Sequence, residues 1–558
     1  MDILQIVAVI AVLMLLVKPA GTYLYHVFSN EPNRTDRVFG GVERGIYKLS
    51  GLKRRSGMSW KQYAVSFLST NVVLVACGYL LLRLQGGLPL NPNGMGEMEQ
   101  TLTFNTVISF ITNTNLQHYS GETTLSYFSQ MAVITMLMFT SAASGFSVAV
   151  AFVRGITGRR SLGNFFEDFI KAHTRVFLPL ALLVTLMLVA LQVPQALKPT
   201  IEVATLEGQT QQIPIGPIAS LESIKHLGTN GGGFMGTNSA HPFENPSPIT
   251  NVIEILSMWV LPASLPYMYG LFAKNKRQGW GLFAAMMTLF LLLLALQFHA
   301  ESKGNPAVEA MGIDISQGSM EGKEVRFGIP QSALFTTVTT AATTGSVNNM
   351  HDTLTPLGGI TPLALMMLNN VFGGKGVGLI NMLMYAMLAV FLCGLMVGRT
   401  PEFLGRKLEA REMKLIAIAI LVHPFIILVP TAITFLTELG HGSITNPGFH
   451  GLTQVLYEYA SSAANNGSGF EGLADNTPFW NMMTGAVMLL GRYISIIALL
   501  AVAGSLMKKQ PVPETTGTFR TDNGLFTGIL IGTVLIIGAL TFLPVMVLGP
   551  IAEYLTLR

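Results

Sequence analysis

Four short polar turns interrupt a strongly apolar chain and carry its most distinctive chemistry. All four consist of Thr, Asn, Ser and Gly, and none contains Asp or Glu. Main-chain carbonyls and uncharged side chains can replace the hydration shell of a cation and still release it. A divalent ion would usually require carboxylates, so these turns favour a monovalent cation. The candidate ligating residues are Asn113, Thr114 and Asn115; Thr229, Asn230, Gly231 and Gly232; Thr343, Thr344, Gly345 and Ser346; and Asn465, Asn466, Gly467 and Ser468.

The second turn, LGTNGGG, shows why such residues suit a cation site. Gly231, Gly232 and Gly233 have no side chain to block a path, and they reach backbone conformations closed to other residues. For one turn alone, an external connection between helices is the simpler interpretation. Recurrence of the same parts four times favours the binding site.

The elements around the turns belong in a membrane. The chain has 558 residues, of which 50% are hydrophobic and 11% are charged, with a mean hydropathy of +0.50. Such values are far from those of soluble domains, and apolar stretches of about 20 residues recur along the chain. We predict an all-α polytopic membrane protein with ten transmembrane helices. Cys77 and Cys393 lie far apart, so neither a disulfide framework nor a CxxC metal site is available.

Basic clusters set the expected orientation, because cytoplasmic loops are rich in Lys and Arg. With these loops inside, the N-terminus and the C-terminus both lie outside. The clusters are Arg34, Arg37, Arg44, Lys48, Lys53, Arg54, Arg55 and Lys61; Arg154, Arg159 and Arg160; Lys274, Lys276 and Arg277; Arg399, Arg406, Lys407, Arg411 and Lys414; and Lys508 and Lys509.

The same order of parts lies between successive clusters, which predicts four pseudo-repeated units around a central pore. Each unit has a first helix, a short half-apolar helix, a polar turn and a second helix. The first helices are expected near 61–84, 173–195, 279–299 and 414–438, and the second near 125–153, 248–273, 361–398 and 477–507. One extra helix lies at each end, near 3–27 and 525–549. The expected divisions are 1–60, 61–160 (unit one), 161–278 (unit two), 279–413 (unit three), 414–510 (unit four) and 511–558.

The short helices are too short to cross a bilayer, so each should dip in from outside and return at its turn. Irregular backbone at membrane depth is tolerated where it is buried in protein or lines a wet cavity. The C-terminal ends of the short helices also direct partial negative charge toward that cavity. We therefore expect the four turns to meet at one axis.

Two cationic residues are predicted to lie near the ion path. Gly373, Gly374, Lys375 and Gly376 interrupt an apolar run that is too long for one span, which indicates a gating loop below the turns. Arg492 lies midway along a helix and is expected either to bond the carbonyls of that loop or to repel the ion from a wrong exit. The alternative for the loop is a simple helix kink, with Lys375 extending its ammonium to the membrane interface. The alternative for Arg492 is that its guanidinium extends to the interface in the same way.

Several polar residues next to the turns have weaker assignments. Gln117 is expected to brace the pore entrance, and Glu122 and Glu244 to add negative potential at its mouth. His118, His241 and His351 follow the first three turns, but the fourth has no counterpart, so we do not predict a metal site beyond the monovalent cation. Glu254, Asn369 and Asn370 are candidates for polar packing inside helices.

Long motifs resemble those of the A-subunit family of bacterial Kdp potassium pumps, within the superfamily of potassium transporters. They include GVERGIYKLSG, FITNTNLQHYSGETTLSYFSQM, GTNGGGFMGTNSAHPFENP, MEGKEVRFG, VFGGKGVGL, GLMVGRTPEFLGRKLEAREMKL and SSAANNGSGFEGL. The resemblance implies a potassium selectivity filter formed by the four turns, with K⁺ as the transported ion. It also implies an inner-membrane complex with the ATP-hydrolysing subunit KdpB and the smaller subunits KdpC and KdpF. None of the turns reads TVGYG, and turns three and four have single glycines, which suits a filter with fewer well-formed sites.

The sequence carries no signature of ATP hydrolysis. It has no GxxxxGK[ST] phosphate loop and no Asp-Lys-Thr-Gly phosphorylation sequence, so we expect this chain neither to bind nucleotide nor to act as the catalytic subunit. Two other functions remain open beside a pump subunit. One is a channel-like transporter of the Trk and Ktr type, and the other is a proton-coupled secondary transporter, although no turn holds a carboxylate to carry a proton.

Overall fold

The computed structural model describes residues 2–29, 31–32, 34–52, 57–159, 161–513 and 519–557. Within these ranges, ten helices are long and apolar enough to cross a membrane, as predicted. Lys53, Arg54, Arg55 and Arg160 of the basic clusters lie outside the described residues. The ten helices are Asp2–Phe28, Trp60–Arg83, Tyr127–Ile156, Phe165–Ala190, Pro248–Phe272, Lys276–Lys303, Gly374–Met396, Ala410–Leu436, Pro478–Leu506 and Gly524–Thr556.

Four shorter helices, here called the pore helices, precede the four turns. Their side chains are almost entirely buried, including Thr and Ser that would otherwise face water. Each lies in chain order between two long helices. In unit three, the additional short helix Pro356–Leu368 stands between the turn and the second long helix. The pore helices are Gln100–Ile111, Ile218–Leu227, Gly328–Ala341 and Gly448–Ala464.

All four pore helices end in the same hydrogen-bonding pattern. The first residue of each turn bonds the carbonyl three residues back, and the second bonds the carbonyl five residues back, as in a Schellman motif. This repetition shows that the four turns are structurally equivalent despite their different sequences. The bonds across five residues are Thr114 N to Ser109 O (2.9 Å), Asn230 N to Lys225 O (2.7 Å), Thr344 N to Thr339 O (2.8 Å) and Asn466 N to Ser461 O (2.9 Å).

The second helix of unit three is broken, as the clustered glycines predicted. Helix Pro356–Leu368 ends at Asn369, which has a left-handed backbone (φ 47°). A short segment then leads into helix Gly374–Met396, whose first turn contains Lys375, also left-handed (φ 53°). The break places residues 369–376 at the depth of the pore-helix ends.

The first helix of unit two begins at Phe165, eight residues before the predicted start at 173. Asn164 caps it by accepting hydrogen bonds from the amides of Phe166 and Glu167. The charged residues of its first turns are paired: Asp168 binds Arg154 at 2.7 Å and Glu167 binds Lys171 at 2.9 Å. Paired charges can be buried in a helix where isolated ones cannot.

Within the described residues, strands are confined to two small antiparallel hairpins in connecting segments. Ile201–Ala204 pairs with Thr210–Ile213 between the first helix and the pore helix of unit two. Glu402–Phe403 pairs with Arg406–Lys407 between units three and four. The architecture is therefore helical, as predicted. The remaining short helices of the described chain are Arg34–Ser50, Gly121–Thr124, Pro306–Glu309 and Glu438–His441, together with the 3₁₀ helices Gln85–Gly87 and Asn238–Ala240.

Candidate ion filter and the loop beneath it

The first residue of every turn has a left-handed backbone, although none is glycine. Two of them are threonines, and β-branched residues rarely adopt positive φ because of steric cost. Strain of this kind persists only where surrounding structure imposes it, and it concentrates at functional sites. The residues and angles are Asn113 (62°), Thr229 (49°), Thr343 (45°) and Asn465 (54°).

A second left-handed residue follows two positions later in three turns. These are Asn115 (φ 60°), Gly345 (88°) and Gly467 (104°). In the second turn Gly231 lies outside the left-handed region, so the ring is only pseudo-fourfold.

The turns approach one another so closely that, in three of them, one position has no room for a side chain. A Cβ at Gly345 would overlap the carbonyl oxygen of Asn466, and one at Gly467 would overlap that of Thr114. A Cβ at Gly231 would lie 2.8 Å from Thr344 O and 3.0 Å from Asn466 O. The four turns therefore meet at one constriction lined by main-chain oxygens. Ser346 and Ser468 do not offer a free hydroxyl to this constriction, because each hydroxyl is hydrogen-bonded to a buried neighbour.

Side chains of the turns brace the ring from unit to unit. The Asn113 amide donates to Thr229 O at 2.8 Å, and the Asn465 amide donates to Thr114 Oγ1 at 3.0 Å. Asn230 is also buried, with its amide directed at Met138 O. These bonds hold neighbouring turns at fixed separation, which a cage of defined size requires.

Gln117 clasps the outer part of the second turn with both ends of its amide. Its Oε1 accepts from Gly233 N at 2.9 Å, and its Nε2 donates to Gly233 O at 3.2 Å. Gly232 packs against the ring of Phe110, where a Cβ would approach to 2.6 Å. Gln117 thus joins units one and two, and its role at a pore entrance stays a prediction.

The loop of unit three lies directly beneath the ring. The amide of Gly374 donates to Thr343 Oγ1 at 3.1 Å, and a Cβ at Gly374 would collide with Thr229 and Ala342. Gly373 and Gly378 touch backbone to backbone, since a Cβ at Gly373 would lie 2.8 Å from Gly378 Cα. The glycines therefore permit an approach that any side chain would prevent.

Lys375 extends from this loop into the ring itself. Its Nζ donates to the carbonyl oxygens of Asn113 at 2.9 Å, Asn465 at 3.1 Å and Thr343 at 3.3 Å. The side chain is buried, so it does not snorkel to an interface. The sequence predicted a positive charge near the ion path; the structure places that charge among the innermost carbonyls.

Arg492 lies beside Lys375 but does not bond the loop. Its Nη1 and Nη2 are buried and have no hydrogen-bond partner among the described residues. A Cβ at Gly145 would come within 2.9 Å of Lys375 Cβ and would collide with the Arg492 guanidinium. The predicted bonding of loop carbonyls is thus absent, because the guanidinium lies beside the aliphatic part of Lys375. Arg492 is buried, so snorkelling is also excluded.

A cavity opens below the ring between units three and four. Its lining includes Asn369, Asn381, His423, Asn465 and Arg492, together with apolar residues of the final helix. The Oδ1 atom of Asn369 has no hydrogen-bond partner in the part of the chain that the structure describes. The cavity therefore offers polar groups on the inner side of the constriction.

The three histidines that follow the turns have separate partners. His241 Nδ1 accepts from Phe243 N at 3.0 Å, and His351 contacts the hydroxyl of Tyr457 at 2.7 Å. His118 contacts Glu458 at 3.4 Å. Burial alone would lower the pKa of His118, but the carboxylates of Asp475 and Glu458 raise it to about 9. The three do not form a common site.

Glu244 does not supply negative potential at the mouth. It is buried, its Oε2 binds Lys225 at 2.8 Å and its Oε1 accepts from Met235 N at 2.6 Å. Lys225 also binds Glu222 at 2.8 Å on the same pore helix. This cluster was not predicted from the sequence, although two opposite charges three residues apart in an otherwise uncharged short helix were a signal for it. Glu122, which is partly buried, accepts from Gly236 N at 2.9 Å.

Comparisons with known proteins agree with this geometry. Residues 7–555 match the family described as the potassium-transporting ATPase A subunit, KdpA. A potassium-transporting ATPase potassium-binding subunit from Geobacillus kaustophilus (strain HTA426) is 62% identical over 99% of both chains. The crystal structure of the potassium transporter TrkH from Vibrio parahaemolyticus is similar, with a TM-score of 0.54 over 88% of this chain and 97% of that one. At 15% identity, the second likeness speaks for the fold alone.

Proposed function

This chain belongs to the family of potassium-transporting ATPase A subunits, and from that premise we propose that it binds potassium from outside and passes it across the membrane within an ATP-driven import complex. The observation that carries the proposal is the convergence of four strained turns on one ring of main-chain oxygens. Such a ring can replace the hydration shell of an alkali ion without a carboxylate. The relative from Geobacillus kaustophilus is itself named for potassium binding.

The filter of this proposal consists of the residues named from the sequence in the four turns. Their inner carbonyls lie at Asn113, Thr343 and Asn465, and the outer end is held by Gln117. Residues 373–376, with Lys375 and Arg492, act as the gate that prevents free flow to the cytoplasm. Two buried cations below the constriction oppose the passage of an unescorted cation.

Energy for transport comes from partner subunits in this proposal. ATP is hydrolysed on the P-type subunit KdpB, and KdpC and KdpF complete the complex. The chain binds K⁺ as cargo and no nucleotide, consistent with the missing phosphate-loop and phosphorylation sequences. Ten apolar helices support a multi-pass protein of the cell membrane, with both termini outside. A stand-alone transporter of the Trk type is supported only by likeness of fold.

Filter substitutions test the proposal in complexes purified through a tag on this chain and reconstituted into liposomes. We expect Gly231→Ala to raise the half-saturating Rb⁺ concentration for ATP-driven uptake by about tenfold or more, because the methyl group would meet Thr344 O and Asn466 O. Gly232→Asp should also alter the preference for K⁺ over Na⁺. Gly528→Ala is the matched control, since open space surrounds that glycine. Unchanged affinity and ion preference in both filter variants would refute the assignment.

A further inference from the structure

Lys375 is bonded in a way that is unusual for a buried lysine. Buried ammonium groups are normally paired with carboxylates, yet Lys375 has no carboxylate partner within the described ranges. Its three donors go instead to three main-chain oxygens, at 2.9, 3.1 and 3.3 Å. An ammonium has only three donors, so this set satisfies it completely.

The three oxygens belong to equivalent positions of three different turns. Asn113, Thr343 and Asn465 are the left-handed residues that begin turns one, three and four. The fourth equivalent oxygen, Thr229 O, accepts the side-chain amide of Asn113 at 2.8 Å. All four innermost oxygens of the ring are therefore engaged, three of them by a single positive charge.

An ammonium group and a potassium ion have the same charge and similar size. Oxygens that surround Nζ at hydrogen-bond distance can hold an alkali ion in the same place. Two cations cannot share the position, because they would repel one another strongly in a site with few polar neighbours. Lys375 and a potassium ion therefore exclude each other there.

We propose that the Lys375 ammonium is a tethered cation that occupies the innermost ion position of the filter in place of potassium. The proposal rests on the filter function proposed above and adds a competitor to it. A tethered group binds at a high effective concentration, so it outcompetes dilute ions arriving from outside. Potassium loads the outer positions and passes inward only when the loop of residues 373–376 withdraws the ammonium.

Neighbouring residues suit such a withdrawal. The Arg492 guanidinium lies beside Lys375 without a hydrogen-bond partner of its own in the described structure, so it repels the ammonium rather than fixing it. Glycines flank Lys375 on both sides, and Gly376 is left-handed (φ 89°). The cavity on the inner side contains Asn369, whose Oδ1 is unbonded among the described residues. Occupancy of the inner position is thereby linked to a movement of the gate.

The test is to locate and count Rb⁺ ions in the purified complex. Anomalous or difference maps are recorded at an Rb⁺ concentration that saturates uptake, and equilibrium ⁸⁶Rb⁺ binding gives the number of ions per chain. In the wild-type protein we expect Lys375 side-chain density, and no Rb⁺, among the oxygens of Asn113, Thr343 and Asn465. Lys375→Met and Lys375→Gln should each gain one Rb⁺ at that position.

Lys198→Met is the matched control, because it makes the same change at an exposed lysine that does not contact the ring. It should bind the same number of ions as the wild type. Equal counts in wild type and both Lys375 variants, or Rb⁺ at the innermost position of the wild type, would overturn the tethered-cation inference and leave the potassium filter standing. Rb⁺ absent from every position of the constriction, in wild type and variants, would instead refute the filter. The wild-type map decides the matter even if a variant fails to assemble.

Discussion

At the scale of single residues, Gln117 does more than mark the pore entrance. Its amide makes two hydrogen bonds to the same residue, Gly233, and so fixes the outer end of the glycine-rich turn. Glycine-rich backbone has the largest conformational entropy to lose on ordering. A side chain that restrains it therefore keeps the second turn in a shape that can bind an ion.

We expect Gln117→Leu to weaken ion binding while leaving the complex assembled. The half-saturating Rb⁺ concentration for ATP-driven uptake should rise several-fold, because losing one or two hydrogen bonds costs roughly 1–2 kcal/mol. Gln117→Glu keeps an acceptor for Gly233 N, so its half-saturating Rb⁺ concentration should lie between those of the wild type and Gln117→Leu. Gln209→Leu, on an exposed hairpin, is the control. A wild-type affinity for Rb⁺ in Gln117→Leu would show that the two hydrogen bonds to Gly233 do not contribute to ion binding.

Residue types predicted the turns but not the bonds between them. The recurrence of Thr, Asn and Gly without carboxylates located all four turns, and the glycine cluster located the break near Lys375. Which oxygen Lys375 reaches depends on three units that are distant in sequence, so no local pattern records it. The same holds for Asn113, whose amide bonds Thr229 across the ring.

At the scale of elements, the second pore helix is the exception among the four. It buries Glu222 and Lys225, and Lys225 also binds Glu244 from the segment that follows the turn. The other three pore helices contain no Lys or Arg, and Glu458 is their only acidic residue. This ion cluster therefore links the second pore helix to the segment that follows the second turn.

We expect Lys225→Met to destabilise the protein strongly. Removing one member of a buried ion cluster leaves its partners as uncompensated charges, at a cost of about 3–5 kcal/mol. The midpoint of thermal unfolding of the purified protein should fall, and the triple variant Lys225→Met, Glu222→Gln, Glu244→Gln should recover part of the loss. Lys198→Met, at an exposed position, is the control. A Lys225→Met protein as stable as this control would show that the cluster does not hold the helix.

Hydropathy located the long helices well and their polar ends poorly. Apolar runs of about 20 residues dominate the signal, so ten spans could be predicted. The start at Phe165 was missed because Glu167, Asp168 and Lys171 resemble a loop until their partners are known. The ion cluster of Lys225 was missed for the same reason, since pairing is a property of the folded chain.

At the scale of the whole molecule, the asymmetry of the proposed filter implies the side from which ions enter it. The outer end of the second turn is clasped by Gln117, while the inner end is closed by the loop that carries Lys375. A constriction closed from one side loads from the other. The exposed hairpin of residues 201–213 lies on the connection that leads into the second pore helix, so it belongs to the loading side.

The proposed orientation in the membrane predicts which exposed positions can be reached from outside the cell. In a background of Cys77→Ala and Cys393→Ala, we expect Glu207→Cys, at the tip of that hairpin, to react with a membrane-impermeant maleimide added to intact spheroplasts. Lys276→Cys, in a basic cluster expected to face the cytoplasm, should react only after permeabilisation. Both positions are exposed in the structure, so different labelling reports sidedness and not burial. Labelling of Lys276→Cys alone in intact spheroplasts would invert the topology, and the loop with Lys375 would then close the outer side of the filter.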